Sequence, residues 1–232
     1  MSAGSTLLEE LRRVGSDLPA RLAERITALG REATPLLLTL LDTRGVADPN
    51  DAAGADACAE CGMPHEDEWA RLHAIDLLSE IRDPAAIEAL LRTLHNASPD
   101  DPLCDKIVER LPLFGDAAME PILGALARTS EGTASAEALC CILSALGVRD
   151  DRILQALLAL LIARPRAGAV YLSEYGDPAA CPALLDVIVA SISDEEGATD
   201  RAALPDLVDA FTSLGGELPV SIRAKIDAAP EP

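Results

Sequence analysis

One pattern restricts this chain's fold more than any other. A helix-length apolar period, a short break and a second helix-length apolar period recur six times, at 22–41, 74–94, 107–127, 139–161, 168–189 and 207–227. The break residues are Gly30, Arg82, Gly115, Gly147, Gly176 and Gly215. Immediately before them stand Leu29, Ile81, Phe114, Leu146, Tyr175 and Leu214. Four residues before them stand Ile26, Leu78, Leu111, Leu143, Leu172 and Phe211. Every flanking residue is apolar or aromatic, as helices packed through one i, i+3, i+4 face require.

The chemistry of the breaks fits helix ends. Glycine stops a helix by taking the left-handed conformation at little cost. Arg82 is the exception among the six and predicts a slightly different turn. Asp83-Pro84 and Asp177-Pro178 each supply an N-cap acceptor followed by a proline whose missing N–H costs nothing at the first helical position. Thr6 and Glu9 read as a capping box for an additional N-terminal helix ending at Gly15. No single pair can bury both its faces, whereas six stacked pairs can. The predicted fold is all-α: one right-handed α-solenoid domain over 1–232, of about six helix pairs, with essentially no strand.

Composition supports this. Two Phe, two Tyr and one Trp leave the core to Leu, Ile, Val and Ala, and Leu and Ala favour helix. The longest strongly apolar stretch, Ile153 to Ala163, is too short to span a bilayer, which takes roughly 20 residues. Residues 1–14 carry Glu9, Glu10, Arg12 and Arg13 where an export signal would be apolar. A cytoplasmic protein with reduced or metal-bound thiols is expected, rather than a disulfide framework for the six cysteines. The formal net charge of -20 disfavours general nucleic-acid binding and suits a basic partner.

The phrases R-D-P-A-A-I-E-A-L-L (82–91) and Y-G-D-P-A-A-C-P-A-L-L (175–185) resemble HEAT repeats, most closely the short bacterial type called phycobilin-lyase-like. The resemblance covers roughly 20–228. It implies a helical scaffold and, as an alternative, a bilin-lyase-like or other ligand-handling enzyme.

Breaks recur at intervals of 33 (82 to 115), 32 (115 to 147), 29 (147 to 176) and 39 (176 to 215), but 52 separates 30 from 82. About 20 extra residues therefore sit at 44–68, judged against the period of this repeat class. This acidic insertion, between repeats one and two, holds Asp48, Asp51, Asp56, Glu60, Glu66, Asp67 and Glu68. It also carries the distinctive phrase Cys58-Ala-Glu-Cys61-Gly-Met-Pro-His65. Two cysteines at this spacing can face one metal, and the Cys-x-x-Cys-Gly part resembles half of a zinc knuckle. His65 is a natural third ligand. A structural zinc needs four, and His73 is the candidate fourth, off the main core stripe. Glu66, Glu68 or a partner could serve instead. Free thiols and a redox-active or disulfide pair are the other two readings.

Cys104, Cys140, Cys141 and Cys181 lie among apolar neighbours on expected helices and read as packing residues. In repeat two, Ile87, Leu90, Leu91 and Leu94 make a buried stripe, while Glu88, Arg92 and His95 follow an i, i+4, i+7 line on another face. That line is the candidate partner-binding surface or an ordinary solvated face. Helix 151–163 is apolar nearly all round. Its Leu154, Leu158 and Ile162 need covering by neighbouring repeats or by a partner. No Gly-x-Ser-x-Gly phrase, lysine-bearing phosphate loop or histidine triad occurs. The expected function is a non-enzymatic protein-protein interaction scaffold holding a protein or peptide, basic by charge complementarity, on its concave face. No catalytic residue is assigned and no cofactor beyond the candidate zinc, and the sequence does not specify an oligomeric state.

Overall fold

The computed structural model describes residues 3–42, 66–98, 100–130, 132–193 and 201–228. Among them are thirteen α-helices, short 3-10 turns and no strand. Helix α1 (Ala3–Arg12) comes first. Six pairs follow: α2 (Ala20–Thr27) with α3 (Thr34–Asp42), α4 (Glu66–Ile81) with α5 (Ile87–Asn96), and α6 (Pro102–Arg110) with α7 (Asp116–Leu126). Then come α8 (Ala134–Ala145) with α9 (Asp151–Ala163), α10 (Pro165–Tyr175) with α11 (Cys181–Ser193), and α12 (Leu204–Ser213) with α13 (Val220–Ala228).

All six breaks share one backbone feature. Gly30, Gly115, Gly147, Gly176 and Gly215 have φ of 56°, 57°, 70°, 70° and 88°, and Arg82 has φ 53°. The different turn expected at Arg82 does not occur; the arginine accepts a conformation that costs an L-residue roughly 1–2 kcal/mol. The flanking columns are core. All six residues four before the break are buried, as are Phe114, Leu146, Tyr175 and Leu214, while Leu29 and Ile81 are half-buried. The aspartate caps form as expected: Asp83 and Asp177 accept from the N–H groups of Ala85 and Ala179 at 3.2 and 2.9 Å. Asp101, Thr133 and Asp150 cap α6, α8 and α9 in the same way. The capping box at Thr6 does not form, because α1 already begins at Ala3 and Thr6 is an interior position. The insertion also ends earlier than expected, since Glu66–Glu68 belong to the first turn of α4.

The chain divides into two compact units, Met1–Pro121 and Ile122–Pro232, with the boundary inside α7. In the first, the first helices of successive pairs lie side by side, α2 on α4 and α4 on α6, and so do the second helices α3 and α5. Helix α4 also meets α1 and α3, so Ala74, Ile75, Leu77 and Leu78 are covered from several sides. Asp76 on α4 takes two cations from α6, Lys106 Nζ at 2.9 Å and Arg110 Nε at 2.8 Å.

The second unit repeats the scheme, with α8 on α10, α10 on α12, α9 on α11 and α11 on α13. Helices α9 and α10 approach closely. A Cβ on Gly168 would lie 2.3 Å from the Leu161 Cα, so only glycine fits there. The Tyr175 hydroxyl pins the connection into α9, accepting from the Asp150 N–H at 2.9 Å and donating to the Asp150 carbonyl at 3.1 Å. The Arg149 guanidinium lies over the same ring, 4.6 Å from its centroid. Around α9, Leu154 is buried and Leu158 half-buried, but Ile162 is 79% exposed.

Two stability outcomes follow from this geometry. Arg82→Gly should raise stability by about 0.5–1 kcal/mol, because relief of the left-handed residue outweighs the extra unfolded-chain freedom. Gly168→Ala should lower it by about 1–3 kcal/mol through overpacking against backbone that cannot yield. Urea unfolding of both variants beside the parent checks the opposite signs.

Candidate functional site

The exposed face of α5 and the groove beside it hold the most distinctive polar arrangement among the described residues. Helical periodicity puts Ile87, Leu90, Leu91 and Leu94 inward, where all four are buried. Glu88, Arg92 and His95 are exposed on the opposite side, as the sequence places them. None of the three forms an ion pair among the described residues, so the i, i+4 pair Glu88–Arg92 is not made.

Arg92 forms one wall of a polar cleft of about 220 Å³. Arg71 of α4 lines it too, with Thr93 and Asn96 of α5, Leu41 of α3 and Asp101. Arg71 is half-buried, and its Nε–H is buried with no acceptor. The connection after α5 is tied down from within. The Ala97 N–H donates to the Thr93 carbonyl at 2.9 Å and the Cys104 thiol to the Ser98 carbonyl at 3.1 Å. Asp101 Oδ1 accepts the Leu103 N–H at 2.9 Å, which commits that oxygen to capping α6. Thr93 Oγ1 gives its proton to the Ala89 carbonyl at 3.0 Å, so it faces the cleft's chemistry as an acceptor.

Of the candidate zinc ligands, Cys58, Cys61 and His65 lie outside the described residues. His73 is described. It is buried rather than set aside from the core, because α4 is packed on several sides. Its Nε2 lies 2.8 Å from the Gly15 carbonyl, which can only accept, so Nε2 carries the proton. The ring stacks on Trp69 with centroids 6.3 Å apart. Only Nδ1 of this ring is left uncommitted by that hydrogen bond. No group of three His, Cys, Asp or Glu side chains among the described residues is placed to hold a metal ion.

The four helical cysteines are free, with Cys104 and Cys140 buried and Cys141 and Cys181 half-buried. Cys140 lines an apolar cleft of about 310 Å³ in the second unit, walled by Leu123, Leu126, Ala156 and Leu160. Burial pushes its thiol up to about 12, with Cys141 and Glu137 adding to the effect. Burial also raises Cys104 and Cys141. Cys104, Cys140 and Cys141 are therefore protonated packing thiols, since a nucleophilic cysteine needs the opposite shift.

Arg71 carries no sequence signal that would have found it. It stands in the amphipathic run of α4 like any surface arginine, and the cleft exists only because α3, α4 and α5 meet there. Tyr175 occupies an apolar column, yet its hydroxyl anchors the neighbouring connection. Comparison of the chain with protein-family models, curated proteins and solved structures gave no match. The likeness to HEAT repeats therefore stands on the repeated phrases and helix pairs alone.

The Cys140 shift fixes a sign for alkaline stability. The folded state holds the proton to about pH 12 and the unfolded thiol releases it near 9.0. The contribution is therefore intact below pH 9 and fades as pH rises towards 12, with a slope of about 1.4 kcal/mol per pH unit at most. Between pH 9 and 11, parent stability in urea should fall more steeply than that of Cys140→Ala.

Proposed function

We propose that the chain is a non-enzymatic interaction scaffold of the HEAT-like solenoid type, working in the cytoplasm and holding a protein or peptide on its concave face, along the solvent-facing side of its second helices. The observation that supports this best is the packing order within each unit. First helices lie against first helices and second helices against second helices. That order is the nearest-neighbour scheme by which repeat proteins make extended binding surfaces. It leaves Glu88, Arg92 and His95 outward on α5, without ion-pair partners among the described residues. The net charge of -20 favours a basic partner and speeds its encounter, and it works against nucleic acid. None of the described helices is long and apolar enough to cross a membrane.

Site-specific photocrosslinking in cells tests the assignment. A crosslinking side chain at 88, 92 or 95 should trap one defined protein adduct. The same group at exposed Glu24 on α2 should trap it several-fold less. Raising the salt to about 1 M, where the Debye length shrinks to roughly 3 Å, should reduce the adduct. Equal adducts at 24 and 95, or none at any α5 position, would remove α5 as the contact face.

A further inference from the structure

We propose that the cleft between Arg71 and Arg92 is a binding site for a phosphate group, carried as free inorganic phosphate or as a small phosphate monoester. The inference does not rest on the scaffold reading, although Arg92 belongs to both, because it needs only the cleft.

The charge balance is the first argument. The chain has 39 acidic residues against 19 basic ones, and Arg25, Lys106, Arg110, Arg152, Arg164 and Arg166 pair with carboxylates. Arg71 and Arg92, like the exposed Arg12, Arg13, Arg21, Arg31 and Arg82, form no ion pair among the described residues, but these two line the same 220 Å³ space. The one carboxylate among the described lining residues, Asp101, has its Oδ1 on the Leu103 N–H and forms no ion pair with either guanidinium. Two unpaired like charges beside one cavity repel, and an anion between them reverses the sign of that interaction.

Hydrogen bonding is the second argument. A buried N–H without an acceptor is unfavourable, and Arg71 Nε–H is one. An oxyanion at the Arg71 fork would supply what the protein does not. The choice of anion follows from the number of forks. Each guanidinium presents a planar set of donors that takes two oxygens side by side. A single carboxylate fills one fork and leaves the other open. A phosphate has oxygens for both. The cleft is larger than the ion, so a short ester chain can accompany it along the Leu41 wall. Asp101 in the lining and Glu88 one turn from Arg92 oppose entry, and neither fork alone outnumbers them, which is why both arginines are needed. Acidic groups beyond a Debye length of about 8 Å are screened at physiological salt.

Calorimetric titration of the full chain with inorganic phosphate, glycerol 3-phosphate and succinate at about 0.15 M salt tests this. Expected is one saturable site for phosphate with a Kd near or below about 1 mM. Arg71→Gln and Arg92→Gln should each weaken it by about tenfold or more, while Arg31→Gln, which makes the same charge change at an exposed position away from the cleft, should stay within about twofold. Tighter binding of the glycerol ester than of the free ion would identify an ester as the ligand. Because Arg71 is half-buried, the parent protein supplies a readout free of folding effects: phosphate should shift the Arg71 Nε–Hε nuclear magnetic resonance signal. No saturable binding of either phosphate compound, an unmoved Arg71 signal, binding indifferent to both cleft variants, or uptake of succinate without phosphate would each overturn the proposal.

Discussion

The left-handed backbone turn that ends the first helix of every pair is the constraint on which the other features depend. It turns the chain within a few residues, and the residues leading into it are packed into the core. Hence the invariant apolar position four residues before each break, occupied by Ile26, Leu78, Leu111, Leu143, Leu172 and Phe211, every one buried. Glycine serves at five breaks because it lacks a Cβ to clash. At Arg82, beside the Asp83 cap, the same φ falls on a residue that does not favour it.

Around these turns, polar groups act mostly as fasteners. Asp76 gathers Lys106 and Arg110 from the neighbouring helix, and Tyr175 holds both the N–H and the carbonyl of Asp150. Such groups fix which helix meets which, while the leucines and isoleucines supply the bulk of the stabilisation at roughly 1.5–3 kcal/mol for each fully buried side chain. Partly exposed ion pairs are individually weak. Their value here is positional; Arg71 and Arg92, which form no ion pair among the described residues, line one cleft instead.

The thiols separate along the same lines. Cys140 is protonated by burial and fills space; Cys104 closes a local hydrogen bond to Ser98. The apolar cleft beside Cys140 is built largely of alanines and leucines, which makes it receptive to apolar groups but gives it nothing with which to polarise a bond. The polar cleft on which the phosphate proposal rests lies in the first unit, on α4 and α5.

The sequence alone determined the all-helical class, the six pairs, the positions of the breaks, the aspartate caps and the inward stripe of α5. All of these are local: a period of 3.6 residues, a glycine and an aspartate act within one or two turns of chain. It did not reveal the left-handed state of Arg82, the start of α1 before Thr6, the burial of His73 or the cleft at Arg71. Arg71 and Arg92 stand on different helices, and His73 meets Gly15 across 58 positions of sequence. Those placements arise only when helices pack, because burial and pairing across such separations are properties of the assembled core and leave no period in the chain that could be read in advance.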